Sequence, residues 1–113
     1  MYELYKKYGD STLEEFEKIK NDISSNKVIL YMKGTKEMPM CGFSSTVVNI
    51  LNMHNVNYKA INVLEDANIR NELTKHSNWP TIPQLFCDGE LVGGCDITVE
   101  LHNSGELKNI LNK

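Results

Sequence analysis

The chain has 113 residues, of which 41% are apolar and 24% charged, and its formal net charge is −3. That length holds one small domain and no second core. The mild acidity, with no Lys/Arg cluster, excludes the basic stripe of a nucleic-acid binder, and no apolar run is long enough to span a bilayer. The opening Met1-Tyr2-Glu3-Leu4 lacks the apolar centre of a secretory signal and the Arg-rich, acid-poor character of a transit peptide. Three cysteines, Cys41, Cys87 and Cys95, argue against a disulfide framework. The expectation is a protein that is not secreted and works in a reducing compartment, where a thiol is available for chemistry.

Residues 1–10 have no period and read as a tail, with one domain over residues 11–113. Ser11 and Glu14 have capping-box spacing, and Leu13, Phe16, Ile19 and Ile23 then predict a helix with an apolar stripe. Lys27 to Met32 is a short, nearly continuous apolar run, the pattern of a buried and parallel strand. A loop from Gly34 to Met40 follows, closed by Pro39. A second helix is predicted from Gly42 to about Met53, with Phe43, Val47, Ile50, Leu51 and His54 on one face.

Val56 to Val63 alternates and predicts a second strand. Leu64-Glu65-Asp66 opens a third helix, with Ile69 and Leu73 inward, ending near His76. Trp79-Pro80-Thr81-Ile82-Pro83 cannot be helical, because the prolines restrict themselves and the residues before them. Gln84 to Cys87 and Glu90 to Val92 read as strands joined through Asp88-Gly89, a two-residue hairpin signal. After a tight turn at Gly93-Gly94, a last helical region carries Ile97, Leu101, Leu107, Ile110 and Leu111, broken at Gly105. One parallel crossover followed by a hairpin predicts an α/β fold: a four-stranded mixed sheet flanked by helices.

Cys41 stands after the first strand and its loop, at the start of the second helix. Helix N-termini carry unsatisfied N–H groups and partial positive charge, so a thiolate there is stabilised. Lys33 adds a cation nearby, and Gly42 permits close approach of a ligand to the backbone. Such a thiolate is a nucleophile or a soft-metal ligand. Placement alone leaves a second reading open, a small buried hydrophobe. Ser44 stands where a Cys-x-x-Cys motif has its second thiol, so an internal dithiol cycle of the thioredoxin kind is not expected. Cys87, within a strand, reads as structural, and the three histidines lack zinc spacing.

Lys33-Gly34-Thr35, Met38-Pro39-Met40-Cys41-Gly42-Phe43-Ser44, Trp79 to Phe86 and Asp88 to Asp96 together resemble the monothiol, CGFS-type glutaredoxins. The resemblance runs from about Asn26 to the C-terminus and implies a thioredoxin-like fold. It further implies glutathione held beside Cys41. Lys33 and Arg70 would meet the glycine carboxylate, and Ile82, before a cis Pro83, would pair through its backbone with the cysteine unit. Cys95 and Asp96 would hold the γ-glutamyl end, with Asp96 also serving as an N-cap. The family uses a 2Fe-2S cluster bridging a homodimer, ligated by two Cys41 thiolates and two glutathiones, for storage or transfer to iron–sulfur acceptor proteins; the chain without it would be a monomer. An alternative is glutathione-dependent thiol–disulfide exchange at Cys41, and a third is an adaptor with a spent site. A thiol at position 95 serves in some members to resolve the oxidised active cysteine. Mitochondrial and cytoplasmic members both exist.

Overall fold

The computed structural model describes residues 10–112. Their elements are α1 (Asp10–Ser25), β1 (Val28–Met32), α2 (Gly42–Met53), β2 (Lys59–Asn62) and α3 (Ala67–Ser77), then β3 (Gln84–Cys87), β4 (Glu90–Gly93), α4 (Cys95–Ser104) and α5 (Glu106–Leu111). The sheet order is β2-β1-β3-β4. β1 and β2 run parallel, and the other two pairings are antiparallel. This is the mixed, thioredoxin-like sheet expected. The tail expected over residues 1–10 lies, Asp10 apart, outside the described residues, and so does the Ser11 side chain of the expected capping box.

β1 is central and buried along its whole length, which is why its sequence shows no polar alternation. Its side chains split by period two. Val28, Leu30 and Met32 pack with Val47 and Leu51 of α2 and Leu107 and Leu111 of α5. Ile29 and Tyr31 pack on the other face with Ile19 and Ile23 of α1 and Ile69 and Leu73 of α3. Each such side chain is worth about 1.5–3 kcal/mol when fully withdrawn from water, so the two layers hold β1, and the loop leaving it, in a fixed place.

Four expectations need correction. The second strand is shorter than the alternation from Val56 predicted, because Asn55 adopts φ 54° after α2 and the pairing register covers only Ile29↔Lys59 to Met32↔Asn62. α3 starts at Ala67; Asp66 is its N-cap, its carboxylate accepting from the N–H groups of Asn68 at 2.9 Å and Ile69 at 3.4 Å. Phe43 and Leu13 do not face the core: they are 61% and 44% exposed, each in the first part of its helix. Asp96 is not the cap of α4; Gly94 is, and Asp96 sits in the first turn.

The punctuation stands where the sequence put it. Asp88 and Gly89 both have positive φ, 52° and 83°, as a tight two-residue hairpin requires. Gly105, at φ 86°, ends α4 and begins α5.

Candidate functional site

β1 delivers the chain into a compact loop. The Met40 N–H donates to the Lys33 carbonyl at 2.9 Å, while Thr35 and Met38 exchange backbone hydrogen bonds at 3.1 and 3.2 Å. Gly34 pairs with Pro39 as an isolated bridge, and its N–H donates to the Asn62 carboxamide oxygen at 3.0 Å. Lys36 reaches away from the loop, donating to the Tyr58 carbonyl with its ammonium 3.9 Å from the Tyr58 ring centre. The loop is thereby tied to the last residue of β2 and to the residue just before that strand, and it places Cys41 as the N-cap of α2 with extended backbone, φ −154° and ψ 136°.

The Cys41 thiol makes no capping hydrogen bond and is half-buried. Its pKa lies below the ordinary thiol value. The largest cause is the Ser44 backbone N–H; partial burial opposes it, and the Phe43 N–H, the Lys33 ammonium and the Ser44 hydroxyl add to the lowering. Ser44 is itself fully buried, and its hydroxyl accepts the Lys33 N–H at 3.1 Å. Its part in fixing the loop onto α2 was not anticipated. The signal was a small polar residue at position 44, three and four residues ahead of the inward Val47 and Val48.

On the opposite side stands the segment from Trp79 to Pro83. The Ile82–Pro83 bond is cis, as the resemblance implied. The buried Gln84 amide braces the segment by donating to the Trp79 and Thr81 carbonyls at 2.9 and 3.2 Å. Gly94, which caps α4, lies so close beneath that a Cβ there would stand 3.2 Å from Trp79 Nε1 and 3.3 Å from the Pro83 carbonyl oxygen. Having no side chain, Gly94 leaves the first-turn N–H groups of α4 without an internal cap. Cys95 follows, and its thiol is pushed up, first by burial, then by Asp96 and Cys41.

A cleft of about 450 Å³ joins these parts. Lys33, Cys41, Arg70, Ile82, Cys95 and Asp96, the six residues singled out in the sequence, all line it. Phe43, Trp79, Thr81 and Ile97 line it as well and were not assigned to it. Phe43 was drawn inward by the helical period, although its place in the first turn beside Cys41 pointed the other way. Two cations, Lys33 and Arg70, share the cleft with the start of α4 and Asp96. Cys87 is remote: it is buried in β3, its sulfur 3.5 Å from the Ile110 carbonyl oxygen.

A half-buried cysteine of lowered pKa at a helix N-terminus, facing a cis-proline, defines the site of a thioredoxin-like thiol protein. Residues 28–92 match the family model described as Glutaredoxin. The chain is 60% identical over 93 residues, 82% of this chain and 84% of the other, to a "Probable monothiol glutaredoxin 2" of Rickettsia typhi. It is 51% identical over 106 residues, 93% of this chain and 64% of the other, to the mitochondrial "Glutaredoxin-related protein 5" of Danio rerio. Among solved structures, reduced poplar apo GrxS14 superposes with a TM-score of 0.74 at 50% identity, covering 82% of this chain and 85% of that one. The chain belongs to the glutaredoxin family, among its monothiol members. No helix among the described residues is long and apolar enough to cross a membrane.

Proposed function

We propose that the cleft binds glutathione beside the Cys41 thiolate and that two copies so loaded carry a 2Fe-2S cluster as cargo for iron–sulfur acceptor proteins. The observation that carries this reading is a single activated thiolate in a cleft that it shares with two cations and an uncapped helix N-terminus. Lys33 and Arg70 suit the glycine carboxylate, Arg70 through its bidentate fork. The backbone of Ile82, a cleft-lining residue before the cis bond, suits an extended peptide. The first-turn N–H groups at Cys95 and Asp96 suit the γ-glutamyl carboxylate, and the Asp96 side chain suits its ammonium.

The donor set fits a shared cargo. Such a cluster takes four thiolates. Cys41 supplies one, the Cys95 thiol is held protonated more firmly than usual, and among the described residues no group of three His, Cys, Asp or Glu side chains stands together to hold a metal ion. On this reading the other donors are glutathione thiolates and the Cys41 of a second copy. Met38, Met40 and Phe43 are exposed around Cys41, an apolar rim that a second copy would cover.

Anaerobic reconstitution with iron, sulfide and glutathione, read by visible absorption and gel filtration, tests this. A coloured dimer is expected that needs both glutathione and Cys41 and falls to a colourless monomer in Cys41→Ser. A colourless monomer throughout, with turnover of a glutathione mixed disulfide, would replace this reading with thiol exchange. In that reaction the Cys41 thiolate takes the glutathionyl sulfur and releases the substrate thiolate; a second glutathione thiolate then displaces Cys41 as oxidised glutathione forms.

A further inference from the structure

Away from the cleft, two imidazoles meet. His54 is the C-cap of α2, and His102 lies in the last turn of α4. His54 Nε2 and His102 Nδ1 are 3.0 Å apart, with ring centres 5.1 Å apart and ring planes at 76°. Both side chains are half-buried. They come from residues 48 apart in sequence, so no local pattern announces the pair.

We propose that His54 and His102 form a chelating site for a divalent transition-metal ion of the imidazole-preferring kind, Zn²⁺, Ni²⁺ or Cu²⁺. Two imidazole nitrogens about 2.0–2.1 Å from one ion, at angles between roughly 90° and 109°, stand about 2.9–3.4 Å apart. The observed separation falls inside that range. To receive an ion, the N–H···N bond opens, the donor ring passes that proton to solvent and takes one up on its other nitrogen, and each ring turns by about 35–45° so that both lone pairs converge. Neither ring is locked in the core, since both residues are only half-buried.

Two features favour a cation here. The helices α2 and α4 both end at this point, and their C-termini carry partial negative charge. Neutral imidazole is the ligating form, and burial, His102 and Lys108 all disfavour a charge on His54. The Lys108 ammonium from α5 works against the ion by simple repulsion, and this sets the affinity below that of a full four-ligand site. No third His, Cys, Asp or Glu joins the pair among the described residues, which leaves coordination positions open to water or an outside donor. The same two helices present Cys41 and Cys95 at their other ends, so a bound ion would clamp together the two helices whose N-termini form the cleft.

The probe is Ni²⁺ added to the full, untagged chain in its Cys41→Ser form, which removes the competing thiolate. Calorimetry should give one equivalent bound, and paramagnetic broadening in ¹H–¹⁵N spectra should centre on the ends of α2 and α4. Affinity should fall tenfold or more in His54→Gln and in His102→Gln and stay unchanged in His76→Gln. Copper EPR on the chain with both rings intact should show two imidazole nitrogens, a readout independent of how the variants fold. Equal binding in the His54 and His102 variants, broadening centred elsewhere, or a copper spectrum with fewer than two imidazole nitrogens would overturn the proposal.

Discussion

Gly34→Ala should destabilise the protein, while Gly42→Ala, eight residues on, should not. Gly34 has φ 93°, a region in which a Cβ costs about 1–2 kcal/mol. The new methyl would also stand 2.6 Å from the Met40 nitrogen, 2.9 Å from Met40 Cγ and closer still to the Met38 carbonyl oxygen. Two of these atoms are main chain, so no side-chain rotation relieves the overlap and the loop itself must move. The bonds at risk are Met40 N–H to the Lys33 carbonyl and the Thr35–Met38 pair, each worth about 0.5–1.5 kcal/mol net. Losing one or two of them brings the total to about 2–5 kcal/mol. At Gly42 nothing lies within 4 Å of a Cβ and the residue is helical, so Ala should stabilise by about 0.4–1 kcal/mol through the unfolded chain. Urea unfolding of both variants measures the difference. A Gly34→Ala protein within about 0.5 kcal/mol of the parent would refute the claim that this loop is rigidly packed against its own backbone.

Alkylation of Cys41 by iodoacetamide should reach half its maximal rate at a pH below the free-thiol value of about 8.5, and Cys95 should titrate above it; Lys33→Gln and Ser44→Ala should both move the Cys41 midpoint up, since each removes a group that lowers it. Because the folded thiol is depressed, its contribution to stability relative to Cys41→Ser is full above the unfolded value and fades as pH falls through the folded one; paired unfolding curves at several pH values should show that sign. Asp66→Ala should cost about 0.5–2 kcal/mol by freeing the N–H groups of Asn68 and Ile69, seen as a lower urea midpoint and faster amide exchange in the first turn of α3.

Much of the frame was legible from the chain alone, because the signals involved are local. A five-residue apolar run becomes a strand buried on both faces, Asp88-Gly89 makes a hairpin, Gly105 stops a helix, and a cysteine directly ahead of a helical period becomes an N-cap. Each depends on neighbours within about four residues, the range over which backbone geometry repeats. The resemblance to monothiol glutaredoxins named candidate site residues, yet periodicity by itself had no way of bringing Lys33, Arg70, Ile82 and Asp96 together.

Tertiary structure decided the rest. The extent of β2 is set by its pairing with Ile29 to Met32 of β1, and not by its own alternation. Phe43 is exposed at the rim of the cleft although it shares a helical face with the buried Val47, Ile50 and Leu51, which no helical wheel records. Ser44 is buried as the partner of the Lys33 N–H eleven residues away. The six singled-out residues that line the cleft come from the loops after β1 and before β3 and from α3 and α4, and the His54–His102 pair joins two helix ends. The chain by itself determined the strands, turns and helix ends and placed a cysteine where its thiolate is stabilised. Which side chains share a cavity, and which of them point away from it, was settled only when the sheet order β2-β1-β3-β4 set the helices side by side, because that order is fixed by long-range pairing and burial, to which local sequence is blind.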